Sequence, residues 1–426
     1  GLGRTVAVEH DAFWGGLMDL EEAEDVGISA QRLLSLMQSD DPEDQVVFKN
    51  GKVHGVRLQA VSAPEPSPHA PKIRADGSYL VTGGLGGIGH ETAKWLAENN
   101  AGHLILLTRT QIPASTPENS GDPGKKTSLY AQRLNELQQM GVPVTVVSGD
   151  IADTSVLIGI REQIAFGELP SLRGIFHAAG SMQYAPLEQQ SIDQFMDVLQ
   201  PKVMGTWNLH QIFLEQPIDI FVLYSSASSL LSSPFMGAYA AANTYLDAFA
   251  AMRRSTGRAG LSISWGTWSQ TGMAVGSDYQ QRRAGLKGVD TISNQQGIAT
   301  LAYLLQTDFD HVGVIPIDWE VWRKTYPGLA ASAYLESLIK PAAPEQAVEH
   351  VSTVDMQLLY SDDEKIRHGA MIDYLTRQIA TLLKGDPAAI STRQPLPGLG
   401  FDSLMAVELR NRIDADLGME LPMIQF

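Results

Sequence analysis

Tyr79-Leu80-Val81-Thr82-Gly83-Gly84-Leu85-Gly86-Gly87-Ile88-Gly89 decides how the rest of the chain is read. Its apolar start has the length of a buried strand, its glycines make a turn, and Glu91 to Glu98 has the composition of a helix. Glycine lets a backbone approach an anion closely, and the N-terminus of a helix offers it unsatisfied N–H donors. A glycine pattern alone also makes an ordinary tight turn. Here strand, turn and helix come in the order a dinucleotide site requires, with Thr82, Gly83, Gly84, Leu85, Gly86, Gly87, Ile88 and Gly89 around the pyrophosphate.

Downstream, short apolar runs alternate with helical lengths: Leu104 to Leu107, Val142 to Val147, Gly174 to Phe176, Ile218 to Leu223, Leu261 to Ser264 and Val312 to Ile315. The alternation predicts an α/β fold with a doubly wound parallel sheet, a Rossmann fold buried on both faces. The second strand ends in Thr108-Arg109, where an NAD site usually has a carboxylate for the ribose 2′-hydroxyl. A cation there suits the 2′-phosphate of NADPH. Asp150 and Ile151 follow the third strand, where the aspartate is placed to meet the adenine amino group. Ile112 to Ser128, rich in Pro, Ser, Gly and Asn, reads as an exposed loop.

Upstream, residues 1–60 read as short strands (Thr5 to Val8, Gln45 to Phe48, Val53 to Leu58) with a helix near Ala30 to Met37, too little to bury a core alone. Residues 61–77, with Pro64, Pro66, Pro68 and Pro71, read as a linker, and 78–335 as the dinucleotide-binding domain. A second linker over 336–355, with Pro341 and Pro344, precedes a helical segment over 356–426.

The chain has 426 residues and a formal net charge of −17, which repels phosphate backbones and anionic lipid, so neither nucleic acid nor a membrane is expected as a partner. No apolar run is long enough to span a bilayer, and Gly1-Leu2-Gly3-Arg4 resembles no signal peptide; the segment reads as excised from something longer. With no cysteine, disulfides, thiolate metal sites and cysteine nucleophiles are excluded, any thioester sulfur must be borrowed, and a cytoplasmic location is expected.

Four residues fit the reduction of a ketone. Hydride arrival leaves an alkoxide-like oxygen, so the site needs a positioned acid and a second donor. Tyr239 supplies the acid, because a neighbouring ammonium lowers the proton affinity of a phenol whose free pKa is about 10. Lys202 is the candidate ammonium, Ser226 steadies the carbonyl oxygen, and Asn243 lies one helical turn beyond Tyr239 on the same face.

Taken with His177-Ala178-Ala179-Gly180, Ser225-Ser226, Tyr239-Ala240-Ala241-Ala242-Asn243 and Ser264-Trp265-Gly266-Thr267-Trp268, this set resembles the ketoreductase domain of modular type I polyketide synthases, of the short-chain dehydrogenase type, over Ser78 to about Trp322. The resemblance implies that Ala178, Ala179 and Gly180 line the cofactor. It also implies that the lysine at 202 with Asn243 four residues after the tyrosine marks a synthase domain, since many free-standing relatives have the lysine at that second place. Val8-Glu9-His10 and Trp14-Gly15-Gly16-Leu17 resemble the end of the structural subdomain that props such a catalytic domain. Ser181-Met182-Gln183 stands where one subclass has Leu-Asp-Asp, and Leu231 where the other has tryptophan; loss of the Asp pair leans towards an L-configured alcohol. A lid is expected after Thr271-Gly272-Met273, reaching Ser293.

Near the C-terminus, Asp363 to Leu383 reads as an amphipathic helix. Leu399-Gly400-Phe401-Asp402-Ser403-Leu404 opens another, with Met405, Leu409, Ile413 and Leu417 as its apolar stripe. The pattern resembles an acyl carrier domain cut short at Phe426, which implies a 4′-phosphopantetheine arm on Ser403. The expected function is NADPH-dependent reduction of a carrier-bound β-ketoacyl thioester, in company with other domains of the same synthase. A stand-alone ketone reductase and a catalytically silent scaffold that docks the carrier are the alternatives.

Overall fold

In a parallel sheet both faces are covered by helices, so its strands are apolar along their whole length. The sequence meets that demand between residues 78 and 314, and there the sheet forms. The computed structural model describes residues 1–10, 13–21, 25–39, 43–68, 70–111, 123–231, 233–272, 287–330, 332–339, 356–359, 361–383, 385–399, 401, 403–419 and 421, with all their side chains but those of 123–126, 327, 328, 356, 357, 397, 398, 403, 404, 411 and 415. The chain divides into two compact units, one of Gly1–Thr5, Ala63–Ser277 and Asp290–Pro316, the other of Val6–Ser62, Asp278–Val289 and Ile317–Phe426.

In chain order the strands are β1 (Leu17–Asp19), β2 (Gln45–Lys49), β3 (Lys52–Gly55), β4 (Ser78–Thr82), β5 (His103–Thr108), β6 (Val144–Ser148), β7 (Leu172–His177), β8 (Ile220–Ser226), β9 (Leu261–Trp265) and β10 (His311–Val314). The first helices are α1 (Leu2–Glu9), α2 (Val26–Met37), α3 (Gly87–Glu98), α4 (Pro123–Gln139), α5 (Thr154–Ala165), α6 (Ile192–Ile212), α7 (Gly237–Ser255) and α8 (Asn294–Leu304). The seven-stranded sheet of the first unit runs β10-β9-β8-β7-β4-β5-β6, every pair parallel. Chain order reverses between β4 and β7, and in such sheets the crevice for a ligand opens beyond the strand ends at that reversal.

Successive residues of each strand feed opposite faces. Val81, Leu104, Leu106, Phe176 and Val222 enter one core cluster, and Leu80, Ile105, Leu107, Ile175 and Leu223 enter the other. Each of the seven strands expected from the apolar runs is present, with ends displaced by a few residues. Helix α3 starts at Gly87, earlier than the expected Glu91.

Three expectations change. Thr5 to Val8 alternates like a strand but lies inside α1, where Arg4 Nη1 donates to the Ser229 carbonyl at 2.7 Å. Residues 123–128, expected in a loop, are the start of α4, while 112–122 fall outside the described residues. The short strand β1, unforeseen in the sequence, pairs parallel to β2, which pairs antiparallel to β3.

In the second unit the remaining helices are α9 (Trp319–Thr325), α10 (Pro327–Ala330), α11 (Met356–Leu359), α12 (Glu364–Leu383) and α13 (Ser403–Leu417). Met405, Leu409 and Ile413 of α13 are buried, Leu417 only half so. Tyr374 of α12 donates to Asp416 Oδ2 of α13 at 2.8 Å. The expected linker around Pro341 and Pro344 lies outside the described residues.

Leu106 is fully buried in the middle of the sheet, and a Cβ on Gly84 would sit 2.8 Å from its Cδ2. Leu106→Ala therefore removes core volume under the glycine turn and should destabilise this unit by about 2–5 kcal/mol. A urea titration followed by tryptophan fluorescence should show the lowered midpoint.

Candidate active site

The glycine turn sits where the sheet reverses. Gly83 has φ +66°, and a Cβ there would lie 3.2 Å from both the Ala178 carbonyl oxygen and the Ala179 nitrogen, so the two loops meet backbone to backbone. Gly86 caps α3 without any side-chain hydrogen bond. A helix start of that kind keeps unsatisfied N–H donors, which suit an anion. The side chain of Leu85 is fully buried in the core and that of Ile88 packs against it, which leaves only their main chains for a ligand.

Thr82 Oγ1 accepts from the Ala179 N–H at 3.1 Å and lies 2.7 Å from His177 Nδ1. Burial and the nearby Lys202 hold His177 down to about 3, so the ring is neutral. A neutral ring, a threonine and a backbone N–H thus fix the Ala178-Ala179-Gly180 loop against β4.

Thr108 is buried at the end of β5 and Arg109 is exposed beside it. Asp150 is exposed, and its Oδ1 accepts from the Ala152 N–H at 2.8 Å, closing its own turn. Ile151 points into the core, while Asn208 Nδ2 donates to the carbonyls of Ile151 at 3.3 Å and Ala152 at 3.0 Å.

Lys202 comes from the middle of α6 and is 3% exposed. Its Nζ donates to the Tyr224 carbonyl of β8 at 2.8 Å and lies 5.7 Å from the centroid of the Tyr239 ring. Burial lowers its pKa to about 8. A Cβ on Gly180 would be 2.9 Å from Lys202 Cε, so glycine there makes room for the lysine stem. Pro201, just before it, lacks the N–H that would bond the Asp197 carbonyl one turn earlier. Ser181 Oγ donates to that freed carbonyl at 2.7 Å and ties the loop to the helix.

Tyr239 and Asn243 lie on α7, four residues apart and both buried. Asn243 Nδ2 donates to the Tyr239 carbonyl at 2.8 Å, and its buried Oδ1 has no hydrogen-bond partner among the described residues. Ser226 ends β8 two residues beyond Tyr224, on the same side of the strand, and its Oγ accepts from the Ser228 N–H at 3.3 Å. Thus α6, α7 and β8 bring an ammonium, a phenol and a hydroxyl-bearing strand end together. Three further polar residues, Asp247, Ser262 and Ser264, lie buried behind this group; from the sequence, Ser264 was named only within the Ser264 to Trp268 motif, and Asp247 and Ser262 were not singled out. The four-residue step from Asn243 to Asp247 was the available clue.

Ser403 heads α13, with its side chain outside the description. The segment 273–286, most of the expected lid, is also outside the described residues, whereas Ser293 caps α8 through Gln296 N at 3.3 Å.

Residues 77–270 match the family model described as KR domain, and residues 373–426 the one described as phosphopantetheine attachment site. The chain is 33% identical over 373 residues to a phenolphthiocerol/phthiocerol polyketide synthase component of Mycobacterium tuberculosis, a match covering 87% of this chain and 16% of that relative. It is 31% identical over 439 residues to a pikromycin polyketide synthase component of Streptomyces venezuelae, covering 99% of this chain and 27% of the relative. The chain therefore spans only a small part of these relatives. Among solved structures, an A-type ketoreductase from a modular polyketide synthase superposes with a TM-score of 0.68 at 34% identity, covering 79% of this chain and 67% of that one. A C2-type ketoreductase superposes with a TM-score of 0.66 at 26% identity, covering 79% and 68%. With the glycine turn at the sheet reversal and the lysine, tyrosine and serine elements converging beside it, the chain belongs to the ketoreductases of modular polyketide synthases, oxidoreductases that here carry a phosphopantetheine attachment region on their C-terminal side.

Proposed function

We propose that this chain reduces the β-carbonyl of a β-ketoacyl chain held on a carrier thioester, with NADPH as reductant, and yields the β-hydroxyacyl thioester within a larger synthase. The observation that carries the proposal is the buried ammonium of Lys202 beside the Tyr239 ring, next to a glycine turn and an uncapped helix start. A lysine is buried at this cost only where its charge has a use.

The site suits a 2′-phosphorylated dinucleotide. At the turn, Gly83, Gly84, Gly86, Gly87 and Gly89 pack so tightly against the chain's own atoms that a Cβ would crowd them, the start of α3 has no side-chain cap, and Arg109 supplies a cation at the end of β5. When bound, the dinucleotide supplies the hydride that becomes the new C–H bond. The protein handles the proton and the oxygen. Ser226 hydrogen-bonds the β-carbonyl oxygen, and Tyr239 gives it the phenolic proton as the C=O double bond becomes C–H and O–H. The phenolate left behind is stabilised by Lys202 and is reprotonated from solvent. Electrostatic stabilisation of this kind in a water-poor site is commonly the largest part of a rate enhancement. The absence of the Asp pair at Ser181-Met182-Gln183 supports an L-configured product. Because the chain has no sulfur nucleophile of its own, the thioester sulfur is that of an arm on Ser403 or on another carrier.

NADPH oxidation with a short β-ketoacyl thioester, with the alcohol resolved on a chiral column, tests the reading. Tyr239→Phe should reduce turnover by at least about 100-fold with NADPH affinity nearly unchanged; full turnover would remove the assignment of the acid. Lys202 must stay charged to stabilise the phenolate, and its proton leaves near pH 8, so kcat should fall as pH rises through about 8. A kcat profile that stays flat through that range would show that the lysine charge is not used. Mass spectrometry after treatment with a phosphopantetheinyl transferase and coenzyme A should show one added arm, absent in Ser403→Ala.

A further inference from the structure

Asp247 follows Asn243 by four residues on α7, as Asn243 follows Tyr239, so the three share one helix face. The residue is 7% exposed. An ionised carboxylate at such depth needs donors or a positive charge nearby. Ser262 Oγ of β9 donates to Asp247 Oδ1 at 2.6 Å. His311 Nε2 of β10 lies 3.4 Å from Oδ2 and 2.9 Å from Ser264 Oγ.

Counting protons shows how this cluster reaches the catalytic strand and helix. Ser229 Oγ donates to the Ser226 carbonyl at 2.9 Å, and Ser225 Oγ donates to the Asn243 carbonyl at 3.2 Å. Each hydroxyl has one proton, so Ser229 Oγ accepts where it meets Ser264 Oγ at 2.9 Å; Ser264 has only one proton to give, and Ser225 Oγ, 3.3 Å away, is left as a weaker contact. The Ser264 proton is thereby used, and its 3.4 Å approaches to the Asp247 oxygens add little. Ser264 then accepts from the Nε2–H of His311, which also faces Asp247. The main-chain carbonyl of Ser226 is thus fixed by a hydroxyl whose partners lead back through Ser264 and His311 to one buried carboxylate, and the hydroxyl that holds the Asn243 carbonyl lies 3.3 Å from the same Ser264.

The same carboxylate faces the ammonium electrostatically. Beside Lys202 are the neutral His177 from β7, the Tyr239 ring from α7 and the Tyr224 carbonyl from β8, and Asp247 lies about two turns along α7 from Tyr239. Burial lowers the lysine's proton affinity, and Asp247 is the charge that raises it.

The geometry points to Asp247 as a positioning residue for the reduction, one that anchors the catalytic face of α7 through Ser262, Ser264 and His311 and balances the charge of Lys202 without touching substrate. This inference rests on the reductase reading above. In the full protein, Asp247→Asn should keep NADPH affinity, followed by nucleotide fluorescence, and KM within about twofold, while kcat falls on the order of tenfold or more. The alkaline limb of its kcat profile should move about one pH unit lower, since the lysine loses its counter-charge. Ser262→Ala removes a donor but keeps the charge and should leave the limb in place.

Wild-type kcat and limb in Asp247→Asn would overturn the inference. So would a limb in Ser262→Ala displaced as far as in Asp247→Asn, because that would be a packing effect. Should Asp247→Asn not fold, Ser264→Ala decides: it unhooks the hydroxyl chain with the charge intact, so kcat should fall severalfold with the limb unmoved, and an unaltered kcat refutes the inference. Failure of the parent reading looks different, as unaltered protein that binds NADPH without oxidising it.

Discussion

Keeping an ammonium charged inside a protein is the constraint around which this site is arranged. Desolvation opposes the charge, and each neighbour of Lys202 either answers that cost or avoids adding to it. The Tyr224 carbonyl takes one of its protons at 2.8 Å. Gly180 leaves space for the stem, and His177, which would repel the lysine if charged, is kept neutral. Its partner in that neutrality is Thr82, the last residue of the strand that enters the glycine turn. The cofactor side and the proton side of the crevice are therefore not independent, because one threonine orients the imidazole that faces the lysine and receives the N–H of Ala179.

The sheet was legible because its signal is local and redundant: every strand is an apolar run, and burial on both faces leaves no alternation to misread. Where only a few residues speak, the pattern failed. Thr5-Val6-Ala7-Val8 has the alternation of a strand but lies in a helix, and Arg4 beside it donates to the Ser229 carbonyl, a contact across more than two hundred residues that composition does not encode. At the candidate site, Lys202, Ser226, Tyr239 and Asn243 could be nominated from the chemistry and from family likeness, but their supports could not. Ser181 mends the hydrogen bond that Pro201 breaks, and no spacing rule links the two. Asp247, Ser262, Ser264 and His311 come from three elements and meet only through the order of β8, β9 and β10 in the sheet.

The attachment helix raises a separate point of chemistry. The chain contains no cysteine, and Ser403 heads a helix whose stripe Met405, Leu409 and Ile413 is buried in its own unit. A phosphodiester at a helix start is favoured by the dipole and the free N–H groups.

Placing the lysine on α6 and the tyrosine on α7 also changes what holds the two residues in register. Had both been on one helix, their separation would follow from helix geometry. Here it depends on how two helices pack, and an aromatic cluster below the site sets that packing. Phe249 of α7 meets His210 of α6 at 5.4 Å and Trp207 at 6.3 Å between ring centroids, both nearly perpendicular, while Tyr245 closes on Phe249 at 5.6 Å. Edge-to-face pairs of this kind add roughly 0.5–1.5 kcal/mol each beyond their burial. Arg253 continues the lock, with its guanidinium 3.8 Å from the Phe221 ring centroid of β8 and its Nη1 2.7 Å from His210 Nδ1. As Arg253 has no lone pair to accept with, Nδ1 must be the acceptor, and the uncharged form of His210 is the one the cluster requires. The distance from Lys202 to the tyrosine ring thus depends on aromatic contacts that begin more than one turn along α6 and α7 from these residues, and slippage between α6 and α7 would separate ammonium from phenol without altering either residue.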